Sequence, residues 1–295
     1  MTSRTRTFRR AAGALLALVL AALLYGGGRV AWMFLRPPVY ESTPPELPAA
    51  LAAPAFLIFS KTNGYVHEDA IPAGIRVLEE IARGRGWSSF ATANGAVMNE
   101  AALARFAAVV WNNTSGDTLT DAQEAAFRRY LEGGGGFVGI HGAGGDPSYS
   151  WSWYAESLIA AQFAGHTLRP HLQPATVLVE DREHPATRGL PARWTRVDEW
   201  YSFARSPRER GVRVLLALDE ASYLPRAVFA DLSMGDHPIA WCHCLARGRA
   251  LYTAMGHRAE AFAEPEMRAF LAGALAWAGG LEGDCDAPLA PPAQP

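Results

Sequence analysis

Between residues 55 and 280, short apolar runs alternate with segments whose apolar positions recur every three or four residues. That pattern predicts β-strands joined by amphipathic helices, hence a doubly wound α/β domain with a mostly parallel sheet. Strands are expected at 55–61 (AFLIFSK), 87–92, 107–113 (AAVVWNN), 136–142 (GFVGIHG), 175–180, 212–218, 238–243 and 249–257 (RALYTAMGH). Ile71, Ile75, Leu78 and Ile81 form one stripe at the helical period and predict a helix after the first strand. Thr120 with Gln123 makes a capping-box pattern for a second helix, which carries Phe127, Tyr130 and Leu131 and ends at the glycines of 133–136. A last helix is expected through Met267, Phe270, Leu271, Ala274 and Leu275, before Gly279.

The pattern changes outside this region. Residues 11–28 are apolar and uncharged, long enough as a helix to cross about 27 Å of hydrocarbon. Arginines precede the run and no acid accompanies it, so the expectation is a single-pass signal anchor in residues 1–36. The N-terminus is then inside and the globular domain on the periplasmic or extracellular side. A cleaved signal peptide ending near Gly26–Gly28 is the alternative. Residues 37–54 are proline-rich and read as a linker, and 281–295 as a proline-rich tail.

Composition adds exclusions. With 49% hydrophobic and 19% charged residues over 295 positions, the chain is neither disordered nor fibrous. The net charge of −2 hides an asymmetry: six arginines and no acid lie in residues 1–36, leaving −8 for the rest. An acidic body argues against nucleic acid as a partner and for an uncharged ligand. Three cysteines are too few for a CxxC zinc site. Cys242 and Cys244 share a strand face, and one of them is expected to bridge to Cys285 in an oxidising compartment.

In a doubly wound sheet the ligand site lies beyond the carboxyl ends of the strands. Four such ends carry polar groups: Lys61 and His67 after the first strand, Asn112, Asn113 and Thr114 after the third, His141 after the fourth, and His257 after the last. Lys61 is the only lysine in the chain. His141 follows a glycine-flanked strand into a sharp turn, as a nucleophile does on an elbow, but imidazole there serves as acid, base or metal ligand. In VDEWYSF (197–203), an extended chain puts Asp198 and Glu199 on opposite faces, and Glu199 is taken as the one facing the site. Three histidines and a carboxylate suit Zn, Mn, Fe or Co, with His67, His141 and His257 as ligands. His166, His171, His184, His237 and His243 are less site-like; His184 and His237 each precede a proline. The aromatics Trp153 and Trp200 fall in connecting segments and are the expected flat faces of a sugar cleft.

The segments KTNGYVHE, WNNTSGDTLTDAQEAAFRRYLEGGGGFVGIHGA, QPATVLVEDREHPATRGLPARWTRVDEWYSF, HPIAWCH and GRALYTAMGH resemble the trehalose-utilisation (ThuA-like) family across almost all of 55–280. The resemblance implies a class I glutamine amidotransferase-like, flavodoxin-like fold, in which the positions of the nucleophilic cysteine and catalytic histidine correspond to His141 and His257. Without a thiol at 141 no thioester can form, so amidotransferase chemistry is excluded. Cys244 also stands where relatives usually carry an acid. What the resemblance implies instead is work on a carbohydrate, a trehalose-like disaccharide or keto-glycoside, as a hydrolase or lyase. In that reading His141, His257 and Glu199 are catalytic, and Lys61, Asn113, Thr114, Trp153 and Trp200 bind the sugar. The alternative is a non-catalytic carbohydrate-binding module at the cell surface.

Overall fold

The computed structural model describes residues 14–28, 37–146 and 150–286. The first strand, β1 (Ala55–Phe59), is buried at every position, as are β3 (Ala108–Asn112) and β4 (Gly136–Ile140). Such two-sided burial is what continuous apolar runs predict for a covered parallel sheet. Among the described residues, nine strands form one sheet in the order β2-β1-β3-β4-β11-β10-β9-β6-β7. Here β2 is Ser88–Thr92, β6 Gln173–Val179, β7 Arg193–Asp198, β9 Arg213–Asp219, β10 Pro238–Leu245 and β11 Gly248–Thr253.

The five strands from β2 to β11 run parallel, and the remaining four extend the sheet antiparallel. The parallel half repeats the flavodoxin-like order 2-1-3-4-5, its fifth place filled by β11. Residues 141–247 are thus inserted between the fourth and fifth strands of the core. The insertion also holds a ribbon of β5 (Phe163–His166) and β8 (Tyr201–Phe203), which sequence periodicity did not predict, nor did it predict β7.

Right-handed crossovers put the helix between β1 and β2 on one face and those leading to β3 and β4 on the other. The first is α2 (Ala70–Gly84); α1 is the isolated helix 14–28. The helix α2 packs with α5 (Ala259–Ala263) and α6 (Pro265–Ala278), whereas α3 (Glu100–Leu103) packs with α4 (Asp121–Glu132). The capping box of α4 forms as read, Thr120 and Gln123 each bonding the other's backbone N–H. The face of α2 is rotated from the expected stripe. Ala70, Ala73, Gly74, Val77, Leu78, Ile81 and Ala82 are buried, while Ile71 and Ile75 are only half-buried. The cause is close approach: a Cβ on Gly74 would lie 2.3 Å from Asn112 Oδ1, and Asn112 Nδ2 donates to the Ile71 carbonyl at 3.0 Å. Small residues win that face because they let the helix dock on β3.

Two expectations about the N-terminal region change. The membrane span over 11–28 is not supported. No helix among the described residues is long and apolar enough to cross a membrane. The described part of that run, 14–28, covers about 22 Å. The arginines before it and residues 29–36 lie outside the described residues. Residues 37–54 do not behave as a free linker. Asn63 exchanges hydrogen bonds with the backbone of Val39, Gln123 donates to the Glu41 carbonyl, Arg105 to that of Pro48, and Leu47 and Leu51 pack on the core.

The Cys244–Cys285 disulfide, 41 residues apart in sequence, ties the chain end beyond α6 to β10, and Cys242 is a buried free thiol beside His184. Closing a loop of that length is worth about 2–4 kcal/mol. Cys285→Ser is therefore expected to lower the unfolding free energy by that amount, seen as a lower midpoint in urea unfolding, with non-reducing mass mapping to identify the bridge. An unchanged midpoint under reductant would show that the bond carries no stability.

Candidate metal centre

The carboxyl ends of β1, β3, β4 and β11 converge on one crevice. His141 is the first residue after β4 and turns the chain with φ +44°, while Asn113, the first after β3, has φ +55°. Non-glycine residues rarely adopt this left-handed conformation, which here aims both side chains at the site. His67 comes from the loop between β1 and α2, and His257 from the loop after β11. Glu199 lies in the two-residue link between β7 and β8. The ligand atoms of His67, His141, Glu199 and His257 all lie within 4.8 Å of one another.

Hydrogen bonding fixes the orientation of the central imidazole. His141 Nδ1 is 2.6 Å from the Ala254 carbonyl, which can only accept, so the neutral ring carries its proton there. The Nε2 lone pair then points at His257 Nδ1, 3.1 Å away, and Glu199 Oε2, 3.2 Å away; the last two atoms are also 3.2 Å apart. Either His257 Nδ1 carries its own ring proton and donates it within this triangle, or all three atoms present lone pairs and take a cation among them. The arrangement of an imidazole with one nitrogen bonded to a carbonyl and the other presented inward is that of a metal ligand.

His67 adds a second sign. It is buried, and its Nδ1 has no hydrogen-bond partner, although its ring packs edge-on against those of His141 and His257 at centroid distances of 4.9 and 5.0 Å. Burial, then the neighbouring imidazoles, push the His67 pKa well below its ordinary value, so the ring stays neutral and its lone pair available. Burial alone would raise the Glu199 carboxyl, but hydrogen bonds with the His141, His171 and His257 rings, which form when protons rather than a metal ion lie between them, reverse this and hold it well below the usual carboxylate range. Three imidazoles and a carboxylate are a donor set that a first-row divalent cation takes, so these residues fit a metal.

Around the cluster is a cavity of about 380 Å³, whose walls include Tyr65, Ser115, Asp146, Phe163, Leu168 and Tyr201, with His67, His166, His171, Glu199 and His257 at its base and mouth. Its size is that of a small-molecule site.

The structure brings His67, His141, His257 and Glu199 together but not the expected sugar-binding residues. Lys61 is buried and ion-paired to Glu41, so its charge clamps the 37–54 segment onto the domain. Thr114 donates its hydroxyl proton to the Phe59 carbonyl and ties β3 to β1. Asn113 accepts from Gly142 N–H and donates to the Gly256 carbonyl, which locks the turns after β4 and β11 together. Trp200 is fully buried and donates to the Gln173 carbonyl. Trp153 stacks on Trp151, under the guanidinium of Arg128, away from the cavity.

The opposite-face reading of 198 and 199 also fails, since the strand ends at Asp198 and both carboxylates are buried. Sequence reasoning set aside His166 and His171, which both reach Glu199. The available signal was their position, five residues apart in the insertion that also supplies Glu199. His184, His237 and His243, set aside with them, have rings that bond instead to Ala186 and Cys242, to Glu220, Tyr223 and the Tyr201 carbonyl, and to the Leu158 and Cys244 carbonyls.

Fold and site define an α/β sandwich of flavodoxin-like order with a histidine–carboxylate cluster at the carboxyl ends of its parallel strands. The chain belongs to the ThuA family, described as trehalose utilisation, which matches residues 55–278. Among solved structures it is similar to a ThuA-like protein from Bacteroides uniformis ATCC 8492, at 28% identity and TM-score 0.67, covering 80% of this chain and 95% of that one. A ThuA-like protein from Parabacteroides merdae ATCC 43184 is 18% identical with TM-score 0.57, over 76% of this chain and 89% of that one. A cytoplasmic protein from Salmonella typhimurium LT2 shares the fold at 12% identity and TM-score 0.53, over 76% and 99% of the two chains. No curated protein matches the chain.

Proposed function

We propose that this protein is a metal-assisted enzyme acting on an uncharged carbohydrate, a trehalose-like disaccharide or its keto derivative. The observation that supports it above all is the inward-facing triangle of His141 Nε2, His257 Nδ1 and Glu199 Oε2, beside the unpartnered Nδ1 of buried His67. A divalent ion (Zn, Mn, Fe or Co) held by these four residues supplies a Lewis acid that polarises a sugar oxygen. Tyr65, Phe163 and Tyr201 offer ring faces to the apolar side of a sugar, and the acidic body disfavours phosphorylated ligands. The family description supports the substrate class. The Cys244–Cys285 bridge supports work in an oxidising compartment after export.

A second reading rests on the same triangle with a proton at its centre. Glu199 then holds His141 and His257 as an acid–base pair without an ion. Elemental analysis of the purified full chain, with turnover of native and oxidised disaccharides before and after chelation, separates the two. Bound metal and chelator-sensitive turnover are expected. Metal-free protein whose turnover resists chelation would replace the first reading by the second, and binding without turnover would make the domain a carbohydrate-binding module.

A further inference from the structure

Glu199 has two carboxylate oxygens, and each meets a different group of histidines. Oε2 faces His141 and His257, in the cluster that includes His67. Oε1 lies 3.0 Å from His166 Nδ1, which also lies 3.1 Å from the Thr167 carbonyl and must give up that contact to ligate, and is hydrogen-bonded to His171 Nε2. The ligand atoms of this second set likewise lie within 4.8 Å of one another. Resting on the metal reading above, we propose that the centre is dinuclear, with Glu199 bridging two divalent cations, one held by His67, His141 and His257 and the other by His166 and His171.

The way the second set is built favours this over a chance cluster. His166 ends β5 and pairs in register with Tyr201 of β8, two residues after Glu199, so the ribbon fixes that imidazole beside the carboxylate. His171 is brought in by the following loop, where the Thr167 hydroxyl donates to its carbonyl. Its ring sits 5.0 Å from that of His257, a ligand of the first set, so the two groups are contiguous.

They differ in enclosure. His141 is fully buried and His257 nearly so, whereas the His166 and His171 side chains are 32% and 41% exposed and line the mouth of the cavity. Four protein ligands surround the inner position, which admits a sugar oxygen by expanding to five-coordination; three leave the outer one with more places for substrate oxygen. Two ions sharing a carboxylate are the usual arrangement for clamping both oxygens of a reacting group.

Loading the metal-free full chain with Mn²⁺ tests this by metal counting and electron paramagnetic resonance. Two equivalents per chain with an exchange-coupled signal are expected. The His166→Ala/His171→Ala variant is expected to bind one equivalent with the signal of an isolated ion, its folding checked by thermal melting. One equivalent in the wild type, or two with uncoupled signals, would overturn the dinuclear centre and leave the single-metal reading standing. No bound metal would remove both readings. Should the double variant fail to fold, the wild-type count and coupling decide alone.

Discussion

Glu199→Gln is expected to empty the metal centre and bring turnover to background while leaving the fold in place. The substitution preserves volume but replaces one oxygen by an NH₂ group and removes the charge. Where the carboxylate now offers lone pairs to His141, His257, His166 and His171, the amide presents only one accepting atom. Loss of a residue that merely orients a ligand costs about 10–100-fold in metal affinity, and loss of a direct anionic ligand exceeds that. The variant should therefore bind at least ~100-fold more weakly by metal titration, with catalytic activity falling in parallel. Its melting temperature in chelator should stay near that of the wild type. Retained metal with retained turnover would remove Glu199 from the centre and with it the proposed chemistry.

The parts of this site that were legible in the sequence are those that strand ends deliver. Apolar runs locate β1, β3, β4 and β11, and counting outward from them gives His67, His141 and His257 without knowledge of any contact. The parts that were not legible depend on pairing across the insertion. β5 is four residues long with no alternation of burial, and β8 is three, so neither has a periodic signature; both exist because they pair with each other. His166 and His171 become ligand candidates only once that ribbon folds over Glu199. The tryptophans fail for a related reason: composition places Trp200 in a connection, but its burial is set by packing distant in sequence, with the Tyr223 ring tilted against it at 6.3 Å and Gln173 accepting its proton. Lys61 reads as a lone cation at a strand end until Glu41, twenty residues earlier, is seen to neutralise it. The apolar run of 11–28 shows the converse: hydropathy predicts a span, yet no helix among the described residues is long and apolar enough to cross a membrane.

Asp198 was the carboxylate passed over in favour of its neighbour, and its removal should be the most destabilising change near the site. It is wholly buried at the end of β7. Its oxygens accept the backbone N–H groups of Glu199, Gly256 and His257 at 3.0, 2.9 and 3.1 Å, so one side chain positions two of the proposed ligands. It also lies 3.1 Å from the buried guanidinium of Arg196, whose other carboxylate neighbour, Glu264, is 3.2 Å away and partly exposed. The Arg196 Nε and Nη2 protons do not point along hydrogen-bond directions in these contacts, so the attraction is chiefly Coulombic. Asp198→Ala leaves Arg196 as a buried charge with only Glu264 opposite it, and three backbone donors without an acceptor. Breaking a buried pair from one side costs about 3–5 kcal/mol, a large share of a domain's stability. Urea denaturation should show that loss, and thermal melting a fall of about 10 °C. Asp198→Asn separates the contributions, because the amide oxygen still accepts from the loop while the charge is gone. It should lose stability yet keep more of the metal affinity than Asp198→Ala. Equal metal affinity in the two variants would mean that Asp198 stabilises the sheet end without positioning His257.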